Sequence, residues 1–179
     1  MTSDQLLEIM PGGVHRIPLF VEPLNAAMDE FEINTSQREA AFIAQIAHES
    51  GQLVWLREIW GPTDVQRTYE PPSTKATKLG NTQPGDGYGY RGRGLIQVTG
   101  RANYRACGAA LGVDLETNPD LLASPILACR SAAWFWKSHG LNELADGGEF
   151  KAITIRINGG LTGEADRLAF YGRAQETLA

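Results

Sequence analysis

The sequence lacks every pattern that would commit it to a metal, a disulfide framework or a membrane. It has two cysteines, Cys107 and Cys129, in 179 residues, too few for a disulfide scaffold. Both sit in apolar helical patterns, where a free thiol behaves as a small buried hydrophobe. It has three histidines, His15, His48 and His139. No His-Glu-x-x-His or Cys-x-x-Cys occurs, so neither a metal nor a cofactor is expected. No apolar run is long enough to span a bilayer, and no membrane insertion is expected. The first residues lack the basic start and long apolar core of a signal peptide, so the chain is expected to stay in the cytoplasm that makes it unless another route exports it. Net positive charge is absent too: the formal balance is −5, which gives no global footprint for nucleic acid. No repeat, low-complexity segment or linker divides the chain. It reads as one domain over residues 1–179, long enough for a real core, and is expected to be a monomer.

What is present centres on the stretch from Ser36 to Glu58. Ser36 and Glu39 have capping-box spacing, and Phe42, Ile43, Ile46 and Ala47 follow at helical spacing. Glu49 falls within roughly 20° of Phe42 on the helical wheel, so an acid lies in line with the apolar stripe while His48 points away. A carboxyl against apolar surface holds its proton more tightly, as a general acid must. Ser50-Gly51 offers a stop, and Glu58 lies beyond it. One unbroken helix would hold the two acids about 13 Å apart; a turn at Ser50-Gly51 would bring Glu58 back. From this stretch alone, the commoner reading is a helix-end carboxylate and a solvated surface charge.

From Ile59 to Tyr90 the periodicity disappears, and prolines and glycines predict a long irregular loop. Its aromatic residues Trp60, Tyr69, Tyr88 and Tyr90 suit either flat contact with sugar rings or anchoring of the loop to the core. Tyr90-Arg91-Gly92-Arg93-Gly94-Leu95-Ile96-Gln97-Val98-Thr99 follows, with Leu95 to Val98 a short extended segment. Gln97 is polar within an apolar run and needs hydrogen-bond partners. Arg91, Arg93, Arg101 and Arg105 form either a local basic patch for an anionic polymer or structural pairs with acids such as Asp86. Helices are expected from Arg101 to Leu111, stopped by Gly112, from Ser124-Pro125 to near Gly140, and from about Gly163 to Leu178. Near the N-terminus, a short helix capped by Ser3 is followed by a second apolar stretch from Pro18 to Phe31. The fold expected is mainly α, a compact helical domain with little or no sheet and a substrate groove.

Five blocks in order carry a resemblance. Ile46-Ala47-His48-Glu49-Ser50-Gly51, the Tyr90 to Thr99 run, Asn103-Tyr104, Ile157-Asn158-Gly159-Gly160 and Asp166-Arg167-x-x-Phe170-Tyr171 resemble the family 19 glycoside hydrolases, which include chitinases and the short phage and prophage endolysins. The resemblance implies a lysozyme-like fold. It implies Glu49 as general acid, Glu58 as general base and Thr99 as the residue that holds the attacking water. Asn103 is implied as a sugar contact, and Gln97, Tyr104, Asn158 and Arg167 as cleft-lining positions. Tyr90 and Trp60 are further candidates for substrate contact. Gln52 departs from the pattern, standing where the family usually has a second glycine.

The reaction implied is hydrolysis of a β-1,4 glycosidic bond with inversion. Peptidoglycan is the expected polymer: the arginines suit an anionic glycan, and an endolysin would be made in a bacterial host's cytoplasm and reach the periplasmic wall on release. A chitinase acting on N-acetylglucosamine polymers is the alternative. An inactive wall-binding module is the rival from another class, and a wall amidase or peptidase lacks its zinc or Cys/His constellation. If Glu58 does not face Glu49, Asp64 and Glu70 are the nearest other acids.

Overall fold

A single helix is surrounded on every side by the rest of the protein. In a computed structural model that describes residues 1–179, helix α3 spans Ser36–Glu49, and its residues from Ala40 to Ala47 are all buried. Four of those are alanines, which lets neighbouring helices approach closely, and a helix buried all round belongs in a core. Thr35 caps it by accepting from the Arg38 amide at 3.3 Å. The expected capping box of Ser36 and Glu39 is not formed: Ser36 is already helical, and the cap on Thr35 has Arg38 at the third position.

The other elements pack around this one. Helices α1 (Ser3–Ile9, capped by Thr2 rather than Ser3) and α2 (Ile17–Glu30) precede it. Short helices α4 (Asp64–Arg67), α5 (Thr74–Leu79) and α6 (Asp86–Gly89) follow, then α7 (Arg101–Leu111) and α8 (Pro125–Ser138). Helices α9 (Leu141–Asp146), α10 (Phe150–Asn158) and α11 (Glu164–Thr177) complete the chain. Helix α3 packs on α11 and α9, and α2 packs on α8. Strand structure is limited to the isolated antiparallel bridges Arg57–Arg93 and Arg93–Val98. No helix is long and apolar enough to cross a membrane.

Two hydrophobic clusters result. The larger joins α1, α2, α3, α8, α9, α10 and α11, with Trp136 edge-on to Phe42 at 5.4 Å between centroids. The smaller joins Tyr90, Val98, Tyr104, Cys107, Leu111, Leu115 and Leu122. Ile96 packs against both, so the turn that carries it sits where they meet. Cys107 and Cys129 are free and buried, and burial pushes the Cys107 thiol up to about 12.

The structure corrects two expectations of local conformation. Residues 60–90 are not irregular: they hold α4, α5 and α6, each capped or stopped by side chains and glycines. Helices of one or two turns leave no visible apolar periodicity. Leu95 to Val98 is not extended. Arg93 and Val98 exchange backbone hydrogen bonds of 3.1 and 2.9 Å, closing a tight turn with Gln97 at φ 55°.

Candidate active site

Helix α3 ends at Glu49, and the chain then turns sharply. Gly51, Gln52 and Leu53 take φ values of 56°, 59° and 71°, three successive left-handed residues where only glycine is unstrained. Side chains hold the two that are not glycine. Ser50 Oγ donates to the Ile46 carbonyl and accepts from the Leu53 amide at 2.8 Å, while Gln52 Oε1 accepts from the Gly12 amide at 2.7 Å. Gln52 therefore makes the turn in place of the usual glycine.

Glu49 is anchored from the far end of the chain. Its carboxylate pairs with Arg167, whose side chain is 1% exposed. Arg167 also donates to Gln45 Oε1, and Gln45 Nε2 donates to Thr154 Oγ1 at 2.8 Å. The expected apolar bed for Glu49 is thus replaced by a guanidinium held in a buried hydrogen-bond chain. Arg167 was expected to line the cleft; it is too buried to meet a sugar and positions the carboxylate instead. His48, one residue earlier, also meets the last helix, its Nδ1 2.6 Å from Asp166 Oδ2. The ring rests on Gly163, where any added Cβ would stand 2.3 Å from Cε1.

Glu58 accepts three hydrogen bonds. Its Oε2 takes the Gly92 amide at 3.0 Å, and its Oε1 takes Gln66 Nε2 at 2.9 Å and the Tyr69 hydroxyl at 3.4 Å. Burial, then the Glu58 charge, push the Tyr69 phenol above its ordinary value, keeping it protonated and a donor. Gln66 is fixed in turn, since its Oε1 accepts from the Thr63 and Gly61 amides. The sequence does not point to Gln66 as a site residue, and it offers Tyr69 only as a sugar platform or a loop anchor, not as a donor to the base. The Thr63-x-x-Gln66 spacing of a capping box was the available signal for Gln66.

Glu49 and Glu58 line one open cavity of about 370 Å³, together with Trp55, Arg57, Ile59 and Gln97. Gln97 also lines an adjoining cavity of about 320 Å³ with Thr99, Asn103, Trp134, Phe135, His139 and Ile157. The left-handed Gln97 is the wall between them, anchored by its Nε2 to the Gly94 carbonyl at 2.8 Å. Backbone strain of this kind gathers where a fold needs a side chain in one place. Thr99 Oγ1 donates to the Gln97 carbonyl at 2.8 Å, and Asn103 Nδ2 donates to the Thr99 carbonyl at 2.7 Å. Thr99 thus lies on the far side of Gln97 from the two acids. Asp64 is exposed and only loosely paired with Arg67, and Glu70 accepts from the Gly85 and Tyr88 amides; neither lines this cavity.

Two of the other expected contacts, Tyr104 and Tyr90, lie in the core. Tyr104 is fully buried; its hydroxyl donates to the Arg91 carbonyl at 2.7 Å and accepts from Arg93 at 2.9 Å. Burial pushes its phenol up to about 12. Tyr90 is buried beside it, donating to the Glu116 carbonyl. Neither ring has a face to offer a sugar. Trp60 packs against Tyr69 and Tyr88 at 6.1 and 5.7 Å, and Asn158 is exposed, reaching the Thr162 carbonyl at 3.4 Å. The basic patch is largely consumed internally. Arg93 binds Asp120, Arg101 bridges Asp86 and Glu116, and Arg105 binds Glu116, while Arg91 lies over the Tyr88 ring. No three His, Cys, Asp or Glu side chains converge as metal ligands.

The profile of the chitinase class I family, glycosyl hydrolase family 19, matches residues 24–146. A glycosyl hydrolase family 19 domain-containing protein of Haemophilus influenzae is 32% identical, over 88% of each chain. The chain belongs to glycosyl hydrolase family 19. An endochitinase of Arabidopsis thaliana is 42% identical over 68% of this chain, which spans only 39% of that longer protein. Among solved structures, a bacterial family 19 chitinase superposes with a TM-score of 0.77 at 25% identity, covering 99% of this chain and 94% of its own. Chitinase C of Streptomyces griseus shares the fold at TM-score 0.78 and 22% identity, over 99% of this chain and 76% of its own. The family 19 domain is a glycoside hydrolase with the mainly helical fold of its relatives.

Proposed function

We propose that this family 19 domain hydrolyses β-1,4 bonds between N-acetylhexosamine units with inversion. The observation that carries the reading is the single open cavity lined by both Glu49 and Glu58. Inverting enzymes need two carboxyls with room between them for a water and a sugar carbon. Glu49, held by Arg167, protonates the leaving oxygen. Glu58, held by Gly92, Gln66 and Tyr69, takes a proton from the water that attacks from the opposite face. Thr99, expected to hold this water, lines the adjoining cavity and not that of the two acids, so no part in the step is assigned to it. Proton NMR during hydrolysis is the test: the α anomer should appear first, and a β anomer as first product sinks the mechanism. Glu49→Gln should fold normally and lose about 10²–10⁴-fold in kcat; a loss under about tenfold removes Glu49 from the role.

Chitin and peptidoglycan both carry this bond, and the chitinase relatives favour chitin. The paired arginines remove one reason for peptidoglycan. Arg57 supplies another, because it lines the Glu49–Glu58 cavity with its side chain 52% exposed and no hydrogen bond to a carboxylate. Chitin has no charge for it to meet. On this second reading the domain is an endolysin-type muramidase, made in a bacterial cytoplasm and acting on the wall after release. Mass spectrometry of products from purified sacculi and from chitin separates the two.

A further inference from the structure

A second hollow of about 330 Å³ borders the cavity that holds the two acids, with Trp55, Arg57 and Ile59 common to both. Arg16, Val54, Leu56 and Ala123 complete its walls, and no acidic residue lines it. Its two guanidiniums are underused. The nearest carboxylate to Arg57 is Asp120 at 3.8 Å, beyond hydrogen-bond range. The Asp120 oxygen it approaches is already taken by Nε and Nη2 of Arg93, both at 2.9 Å. Arg16 gives only its Nε, to the Leu53 carbonyl at 3.3 Å, and otherwise lies over the Phe20 ring. Most of the arginines nearer the core bind carboxylates directly, as Arg93, Arg101, Arg130 and Arg167 do. Here two forks with free N–H groups border one hollow, beside the exposed apolar surfaces of Trp55 and Ile59.

That combination has a chemical meaning. A guanidinium fork matches a carboxylate in shape and charge, and the apolar walls suit the alkyl part of whatever bears it. Because the hollow borders the cavity of Glu49 and Glu58, a ligand in it would belong to a sugar close to the bond being cut. We propose that Arg57 and Arg16 bind a carboxylate carried on the glycan, and so set a preference for acid-substituted over neutral N-acetylhexosamine polymers. An ether-linked lactyl group, with its own carboxylate or with a peptide that carries one, is a substituent of this class. The subsite rests on the hydrolase reading above and adds specificity to it.

The experiment compares kcat/KM on two substrates, a neutral N-acetylglucosamine hexamer and peptide-free peptidoglycan strands bearing lactyl carboxylates. The enzymes are the wild type, Arg57→Gln, Arg57→Glu and Arg16→Gln. The ratio of anionic to neutral kcat/KM should fall about tenfold in Arg57→Gln, as losing a charge-assisted contact requires, and further in Arg57→Glu. The wild-type KM for the strands should rise with salt between about 0.05 and 0.5 M, and that rise should flatten in Arg57→Gln. An unchanged ratio, or an equal loss on both substrates, overturns the subsite. So does a wild type that cleaves the hexamer and ignores the strands, and in that case the hydrolase reading stands. A wild type inactive on both overturns the hydrolase reading itself, and the subsite with it. Arg57 is half exposed, so its variants should fold even if Arg16→Gln does not.

Discussion

Glu58 and Gly92 are joined twice: the Glu58 amide donates to the Gly92 carbonyl at 2.8 Å, and the Gly92 amide donates to the Glu58 carboxylate at 3.0 Å. This pairing sets the position of the carboxylate by backbone, which is stiffer than any side-chain contact. It also explains why a glycine stands at 92. A Cβ there would lie 2.7 Å from Gln97 Oε1 and 3.4 Å from Glu58 Cβ.

Gly92→Ala is therefore expected to fold, because the nearest obstacle is the end of a flexible side chain. It should displace the Gln97 amide from the wall between the two cavities. The expected outcome is a fall of about tenfold or more in kcat/KM, since small misplacements in a site are costly. Thermal melting should show little change. A large drop in Tm with normal kcat would mean that Gly92 serves the fold alone.

Gln66→Leu removes the shortest side-chain hydrogen bond to Glu58 and takes the acceptor from the amides of the exposed residues 61 and 63. Solvent can reach those amides, so stability should fall by only about 1 kcal/mol. Activity should fall with it, by about tenfold or more in kcat/KM, because Glu58 loses a donor that fixes its carboxylate. Gln66→Glu restores an acceptor for the two amides and places a like charge beside Glu58, so it should recover stability and not activity. An unchanged kcat/KM in both variants removes Gln66 from any role in holding the base.

Arg167→Lys keeps the charge beside Glu49, but an ammonium is a point donor and cannot reach Gln45 and the carboxylate as the planar fork does. The expected result is a lower kcat with a nearly unchanged KM, and a melting temperature several degrees lower, as about 1–2 kcal/mol would give in a domain of this size. Equal activity in Arg167→Lys would show that charge alone suffices at this position.

The smaller lobe is tied together by Arg101, which bridges Asp86 and Glu116, with Arg105 on the same glutamate. Hydrogen bonds from Arg105, then Arg101, hold the Glu116 carboxyl at about 2, below its ordinary 4.5. The native state thus favours the ionised form. Its contribution is fully present above about pH 4.5 and is lost as the pH falls towards about 2. Denaturation of Glu116→Gln should show a stability deficit at pH 7 that vanishes near pH 2. A deficit that persists at the acid end would point to lost packing.

Much of this arrangement was legible residue by residue. The stop after Glu49, the stop at Gly112 and the start at Pro125 follow from backbone preferences that each residue carries with it. Gln97 betrayed itself as a polar residue in an apolar run, and Gln45 offered the same signal within the stripe of α3. The short helices between residues 60 and 90 were hidden because four to six residues do not complete a hydrophobic period. The three left-handed residues after Ser50 were hidden because Gln52 and Leu53 adopt that conformation only under the grip of Ser50 and Gly12.

The sequence by itself determined that Glu49 ends a helix, that a break separates it from Glu58, and that the blocks around them belong to one family. These are local properties, set by periodicity, capping and glycine. Only the tertiary structure decided which charges are spent and which are free. Arg93, Arg101 and Arg105 suited either a surface for an anionic polymer or structural pairs, and they are bound to acids 11 to 27 residues away. Arg167 looked like a wall of the cleft and lies buried against a carboxylate 118 residues earlier. An arginine's role depends on which carboxylate the packing brings within about 3 Å, since its attraction weakens steeply with distance and solvent. No local pattern encodes that distance.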